Sequence, residues 1–319
     1  MLPRAASAGQ ARLGSRPVGG HPEVSVVLPT RDRAGYLADA IGSVLAQTVT
    51  GWELVVVDDG SVTPAIVPAD PRIHLVRLAE SGGPARARNV GLARASADAV
   101  AFLDDDDQFA PGRLAEGLRG LDAAPVAVCG ARFLDRPPAR VRRLDGDVAD
   151  SILDDFTPCL GSTMVRSDSV ASFDERWSAI EDVDWWWRTA QRHRVVTSEA
   201  IGYLVRRHDG PRSVNGVPAR LRENLAFLDA HRAWFADHRP ARAFRLRRAA
   251  AMADALDDHR LARRLLLRSL WSRPSIHTAW QLRRSLGLGH GDRAVGESAE
   301  PQERQPPDPR EAQLLRPAQ

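Results

Sequence analysis

Short β-branched apolar runs alternate along the first third of the chain with segments whose apolar positions recur at helical spacing. Val24-Ser25-Val26-Val27-Leu28 is the first run and stops at Pro29, after which Leu37, Ile41, Val44 and Leu45 mark a helix. Leu54-Val55-Val56-Val57 ends at Asp58-Asp59-Gly60-Ser61, and Ile73-His74-Leu75-Val76 ends before Ser81-Gly82-Gly83-Pro84. A second helical pattern covers about 85–96, and Ala99-Val100-Ala101-Phe102-Leu103 runs straight into four aspartates, Asp104 to Asp107. This alternation predicts a parallel sheet with helices on both faces. Ligands of such sheets sit at the carboxyl ends of the strands. Thr30-Arg31-Asp32, Asp58-Asp59 and the aspartate run all begin where a strand stops.

The remainder is less regular. Strands are expected at 126–134, 160–166 and 195–206, and from about 218 to 286 helical spacing returns with many arginines. Leu261, Leu265 and Leu266 share one helical face while Arg260, Arg263 and Arg264 spread, the pattern of a docked helix with a solvated side. The expected division is a tail at 1–21, an α/β domain at 22–215, a helical appendage at 216–287 and a second tail at 288–319. Gly, Pro, Gln and charge dominate both tails, a composition that does not bury a core.

Composition narrows the function classes. All 44 basic residues are arginine and the net charge is only +3, so the basic character is no nucleic-acid footprint. Arginine nevertheless binds phosphate through a planar two-pronged fork and keeps its charge. Cys129 and Cys159 have no metal-ligand spacing and form no disulfide framework, which makes reduced cytosol the expected compartment. The N-terminus has no apolar signal core, and no stretch of about 18 apolar residues predicts a spanning helix.

Five clusters could carry chemistry, and each has a plainer structural reading. The aspartate run concentrates like charges, a repulsion that a divalent cation relieves, or it is a solvated loop before Pro111-Gly112-Arg113. Asp58-Asp59 could accept hydrogen bonds from a base or ribose, or simply begin a turn. Arg86 and Arg88 open a helix after a Gly-Gly-Pro loop, which suits a diphosphate, or they lie on a solvated face. Glu181-Asp182-Val183-Asp184 precedes three tryptophans, Trp185 to Trp187. The acids there suit a helix N-terminus. Three consecutive tryptophans cannot all face one core, so at least one is expected to line a groove. His208, in Arg206-Arg207-His208-Asp209-Gly210, gains interest only from the aspartate loop.

In order, VSVVLPTRDR (24–33), LAQT (45–48), ELVVVDDGS (53–61), ARNVGLARA (87–95), FLDDDD (102–107), GSTMVRSDSV (161–170), FDERWSAIEDVDWWWR (173–188) and RRHDG (206–210) resemble the family 2 glycosyltransferases. These are inverting enzymes of the GT-A fold, and the resemblance spans 24 to about 210. It implies an α/β Rossmann-like mixed sheet flanked by helices, with a C-terminal helical appendage. It implies an EC 2.4, hexosyltransferase-like enzyme, a nucleotide diphosphate sugar donor with UDP-sugar favoured, and Mg²⁺ or Mn²⁺ as cofactor. By the family pattern, Pro29, Thr30, Arg31 and Asp32 lie against base and ribose, Asp59 bonds the base, and Arg88 lies near the diphosphate. Asp104 and Asp105 are donor-site residues, Asp106 and His208 metal ligands, and Asp182 the base that deprotonates the acceptor. Glu181, Trp185 and Trp186 are assigned to the acceptor.

Arg31 replaces the aromatic residue that often stacks on the base in this family, and the Gln-x-x-Arg-Trp motif of processive synthases is absent. The first departure leaves the base identity open and the second disfavours polymer synthesis. The acceptor is unidentified, a glycan, lipid-linked intermediate or natural product, and no nucleic-acid partner is expected. Peripheral contact with anionic lipid at the inner membrane face stays open. The rival readings are a non-catalytic nucleotide-sugar, carbohydrate or lipid-binding module of the same fold, a sugar-phosphate nucleotidyltransferase and a dinucleotide-binding oxidoreductase. The second of these lacks its Gly-rich lysine loop and the third its G-x-G-x-x-G turn.

Overall fold

A computed structural model describes residues 21–136, 141, 143–154, 156–207 and 216–286. Both expected tails fall almost wholly outside these residues, as does His208. The expected alternation is present: β1 (Val24–Thr30), α1 (Ala34–Leu45), β2 (Trp52–Asp58), β3 (Ile73–Arg77), α2 (Gly83–Leu92) and β4 (Ala99–Phe102). After them come β5 (Gln108–Phe109), α3 (Arg113–Leu121), β6 (Val126–Phe133), β7 (Thr163–Arg166), α4 (Glu181–Ala190) and β8 (Val195–Val205).

The eight strands form one sheet in the order β3-β2-β1-β4-β7-β6-β8-β5. The first four run parallel, as predicted, with Thr30 beside Asp58 and Val27 beside Phe102. β7 then enters antiparallel to both β4 and β6, so the whole sheet is mixed. This departs from the all-parallel pattern of the N-terminal third and agrees with the GT-A expectation. The chain runs outward from β1 through β2 to β3 and then returns to place β4 on the other side of β1, so the strand order reverses there. The crevice at such a switch point is where ligands bind in open α/β sheets.

β1 and β2 are almost wholly buried, which explains why their sequences read as continuous apolar runs without alternation. α2 lies tightly on β1: a Cβ on Gly91 would come within 2.4 Å of Val27 Cγ1. That close approach seats the C-terminal end of α2 on β1.

Among the described residues five helices follow: α5 (Gly216–Ala230), α6 (Arg232–Asp237), α7 (Arg239–Asp254), α8 (His259–Ser272) and α9 (Ile276–Ser285). Phe227, Phe235 and Ala241 join the apolar cluster beneath α4, whereas α7 and α8 share a separate core with Leu246, Leu265 and Leu266. The α8 wheel is as expected, with Leu265 and Leu266 buried. Arg264, Leu267, Arg268 and Trp271 form an exposed stripe, and Ile276, Trp280 and Arg284 another on α9. No helix among the described residues is long and apolar enough to cross a membrane.

Candidate active site

A cavity of about 200 Å³ opens at the carboxyl ends of β1, β2 and β4. Pro29, Thr30, Arg31, Asp59, Arg88, Asp104, Asp105, Asp106, Glu181 and Asp182 all line it, although they are spread over more than 150 positions of sequence. The sheet register and the tight seat of α2 bring them together.

The two adjacent aspartates after β2 perform different tasks. Asp58, fully buried, accepts hydrogen bonds from the backbone N–H groups of Ser61 (2.8 Å) and Ala65 (3.0 Å) and so closes its own turn. Burial alone would raise its carboxyl; these bonds and Arg77 outweigh it and hold Asp58 below the ordinary carboxylate range. Asp59 reaches across instead. It accepts from Ser81 Oγ (2.7 Å) and from the N–H groups of Gly82 (2.8 Å) and Gly83 (2.9 Å), which fastens the α2 entry loop. Gly60 between loops must lack a side chain, since φ is +68° and a Cβ would sit 2.6 Å from Ser81 N.

Asp32 does not line the cavity. With φ at +53° it accepts from Val62 N (2.7 Å) and acts on the shape of the loop after β1. Arg31 spans two loops by donating from Nη1 to Ser81 Oγ (2.8 Å).

The aspartate run is divided among several partners. Asp104 accepts from Arg88 Nη2 (2.7 Å), and Asp105 from Thr30 Oγ1 (2.8 Å) and Arg33 Nη1 (3.1 Å). Asp106 also accepts from Arg33 Nη1 (2.8 Å), while Asp107 accepts from the Tyr203 hydroxyl and from Arg206 N (2.8 Å). Burial, above all, lifts the Asp105 carboxyl to about 6, with Arg33 opposing the rise and Asp106 adding to it. Burial pulls the Arg33 guanidinium down, but Asp105 and Asp106 outweigh it and leave Arg33 raised.

Single oxygens of Asp104, Asp106 and Asp107 lie within 4.8 Å of one another. An all-oxygen donor set of this kind fits a hard divalent cation such as Mg²⁺ or Mn²⁺. The sequence points to Asp107 only as part of the aspartate run, without a role of its own, and does not single out Arg33. The signal for each was nonetheless present, in the last acid of the run and in the arginine beside Asp32.

Arg88, buried, is held between two carboxylates: its Nη1 donates to Glu181 (2.8 Å) and its Nη2 to Asp104 (2.7 Å). Burial opposes its charge, but those two acids outweigh burial and raise it. Glu181 is shifted upward, chiefly by burial. Glu181 is thus committed to Arg88 and offers little to an acceptor. Asp182, second residue of α4, lines the cavity with Oδ1 accepting from Val183 N (2.8 Å).

The tryptophans correct an expectation. Trp185 and Trp186 are 0% exposed and do not line the cavity. Trp185 packs edge-on to Phe102, stacks on Phe173 and donates Nε1 to the Ala171 carbonyl (2.8 Å). Trp187 meets Phe227, His231 and Trp234. The premise that one helix cannot face all three into one core missed that α4 is covered twice, by the sheet and by α5 and α6. No tryptophan of the three is left for a groove.

The appendage also builds the cavity: Arg220 and Asn224 of α5 and Arg245, Arg248 and Met252 of α7 complete its lining. Glu223 of α5 accepts from Ser178 N (3.0 Å), Ser178 Oγ (2.6 Å) and Ala179 N (2.9 Å), which fixes the segment leading into Glu181-Asp182.

This strand-end cavity, with its acid cluster and α2 entry loop, sits where sheets of this topology hold nucleotides. Residues 25–158 match the family described as glycosyl transferase family 2. The chain carries a family 2 glycosyltransferase domain. It is similar to the putative teichuronic acid biosynthesis glycosyltransferase TuaG of Bacillus subtilis, 40% identical over 103 residues, 30% of this chain and 41% of that one. The chain spans only 41%, 32% and 43% of the first curated relatives it matches. Two solved structures share the GT-A fold. They are S. aureus TarS 1-349 in complex with UDP-GlcNAc (TM-score 0.54, 18% identity, 85% of this chain and 93% of that one) and the mannosyltransferase PcManGT of Pyrobaculum calidifontis in complex with GDP-Man and Mn²⁺ (TM-score 0.52, 17% identity, 85% and 81%).

Proposed function

We propose that this protein is an inverting, metal-dependent glycosyltransferase that moves a sugar from a nucleotide diphosphate sugar, a UDP-sugar in preference, to an acceptor hydroxyl. One observation carries the reading: Asp182 shares a single cavity with the strand-end acids, with Arg88 bridging Asp104 and Glu181. Binding of UDP-GlcNAc by TarS and of GDP-Man with Mn²⁺ by PcManGT supports the donor class and the cation.

In this reading the α/β domain ends near residue 215 and the helices of 216–287 complete the acceptor side. The loop of Pro29 to Asp32 shapes the nucleoside site, and Asp59 holds the α2 entry loop against it. Arg88 faces the leaving diphosphate with its guanidinium preset by two carboxylates, so no reorganisation is required as charge develops. Asp106 and Asp104, with His208 as the family resemblance implies, would hold the cation, which offsets charge on the diphosphate. Asp182 takes the proton from the acceptor hydroxyl. The acceptor oxygen bonds the anomeric carbon on the face opposite the departing diphosphate, and the configuration inverts.

A panel of UDP-, GDP- and dTDP-sugars should reveal one donor that is slowly hydrolysed in the presence of Mn²⁺, without any acceptor. If nucleotide is released from no donor and no nucleotide diphosphate binds, the transferase reading falls and a binding module of another ligand takes its place.

Contact with anionic lipid belongs to the exposed α8 and α9 stripes. Trp271 and Ile276 are 90% and 91% exposed, beside Arg268 and Arg273, a combination that suits a bilayer interface. The protein should cosediment with phosphatidylglycerol vesicles and not with phosphatidylcholine vesicles. Equal recovery with both would remove the membrane from the picture.

A further inference from the structure

Asp182 stands at the start of α4, and that start is held from outside its own helix. Ile180, the residue ahead of α4, makes no side-chain cap. The N–H groups of Ser178 and Ala179, just before it, donate to Glu223 Oε2 of α5 (3.0 and 2.9 Å), and Ser178 Oγ donates to Glu223 Oε1 (2.6 Å). Glu223 is only 7% exposed and forms no ion pair among the described residues. A buried carboxylate is costly unless its oxygens are satisfied. Here three donors from two consecutive residues satisfy them, and hydrogen bonds to an ionised acceptor are the strong kind.

One turn further along α5, Phe227 meets the Trp177 ring edge-on at 6.1 Å. Glu223 and Phe227, four residues apart and so on one helix face, together grip residues 177–179. The other end of the segment is fastened to α2. There Asn89 Oδ1 accepts from Phe173 N (2.7 Å) and Asn89 Nδ2 donates to the Phe173 carbonyl (2.9 Å). Arg88, next to Asn89, donates to Glu181 (2.8 Å). The chain that carries Asp182 into the cavity is thus set by α2 on the donor side and by α5 on the other.

We infer that Glu223 is a positioning residue for sugar transfer, one that acts through Asp182 by holding the base where it can take the acceptor proton. This inference rests on the transferase reading and on Asp182 as its base. Reacting groups must be held to within about 0.5 Å of their working geometry, by partners that are themselves fixed. A misplacement of about 1 Å costs on the order of 10²-fold in rate. Ser178, Ala179 and Asp182 line the cavity and Glu223 does not, so Glu223 influences turnover without touching the donor. The helical appendage then sets the geometry of the reaction centre as well as walling the cavity.

The test is a double-mutant cycle in the whole protein, read as Mn²⁺-dependent hydrolysis of the nucleotide sugar that wild type turns over, well below the melting temperature of each variant. UDP affinity is measured alongside by calorimetry. Glu223→Ala removes all three contacts and should lower kcat about 10- to 100-fold with UDP affinity retained. Glu223→Gln should restore most of the rate, because its carbonyl can accept from both N–H groups while its amide donates to Ser178 Oγ. In an Asp182→Asn background Glu223→Ala should cost almost nothing more, since the position of a base is immaterial once the base is gone. A full additional loss in that background overturns the inference, because Glu223 would then support the fold at large. Wild-type turnover in Glu223→Ala overturns it too, as does a parallel loss of UDP affinity. Should Glu223→Ala fail to fold, Glu223→Asp, which draws the carboxylate back by one methylene and keeps its charge, goes through the same cycle. Near-normal turnover of Asp182→Asn removes the base and this inference with it, and leaves the donor site standing. Wild type that binds neither UDP nor GDP and hydrolyses no donor is a different outcome: it removes the transferase reading itself.

Discussion

Asp182→Asn should lower kcat by about 10²- to 10⁴-fold, the usual contribution of general base catalysis, with donor affinity and melting temperature close to wild type. The substitution keeps size and hydrogen bonding and removes only the proton acceptor. Asp182 sits at the second position of α4, where its Oδ1 accepts from Val183 N, so a purely structural role as a helix-terminus acceptor is a real competitor. The two roles predict opposite outcomes. Asparagine serves a helix N-terminus about as well as aspartate, so a structural Asp182 would leave turnover nearly normal. Position favours the base. The side chain lines the cavity, whereas Glu181 is tied to Arg88 and Asp184, nearly buried, is paired with Arg188 (2.8 Å). Turnover, UDP affinity and thermal melting on one preparation separate the readings. Near-normal turnover would move the search for a base to carboxylates outside α4, because both of its other acids are engaged.

The N-terminal third was legible because β1 and β2 are buried on both faces and leave unbroken apolar runs that end in polar clusters. Those clusters meet in one cavity because parallel strands in register align their carboxyl ends, with Thr30 opposite Asp58. Three features were not legible. Periodicity does not reveal strand direction, so the antiparallel insertion of β7 came only with the family resemblance. Trp185 and Trp186 were misplaced because a helix pattern does not disclose how many layers cover it. The contribution of α5 and α7 was hidden for a related reason. Arg220, Arg245 and Arg248 lie in an arginine-rich stretch where a solvated face and a cavity wall have the same spacing. Glu223, which holds Ser178 and Ala179 ahead of Asp182, has no local signal, since its partners are 44 and 45 residues away.

Chelation or Asp106→Asn should abolish tight nucleotide diphosphate binding and lower turnover by about 10³-fold or more, because a cation at the diphosphate supplies several kcal/mol of charge stabilisation. The ground for this is the clustering of Asp104, Asp106 and Asp107 oxygens within 4.8 Å. Like charges this close, in a loop where Asp105, Asp106 and Asp107 are all buried, call for a compensating cation. Arg33 supplies part of that compensation, with Nη1 2.8 Å from Asp106 and 3.1 Å from Asp105. Two cations then compete for one set of carboxylates. Arg33→Met should therefore tighten Mn²⁺ binding measured without nucleotide, whereas Asp106→Asn should weaken it. The readout is calorimetric, with Mn²⁺ alone and then with UDP in Mn²⁺ or in EDTA, so it does not depend on finding the acceptor. If UDP binds equally well in EDTA and Asp106→Asn matches wild type, then Arg33 and Arg88 alone neutralise the site, and the protein is a metal-independent member of its fold.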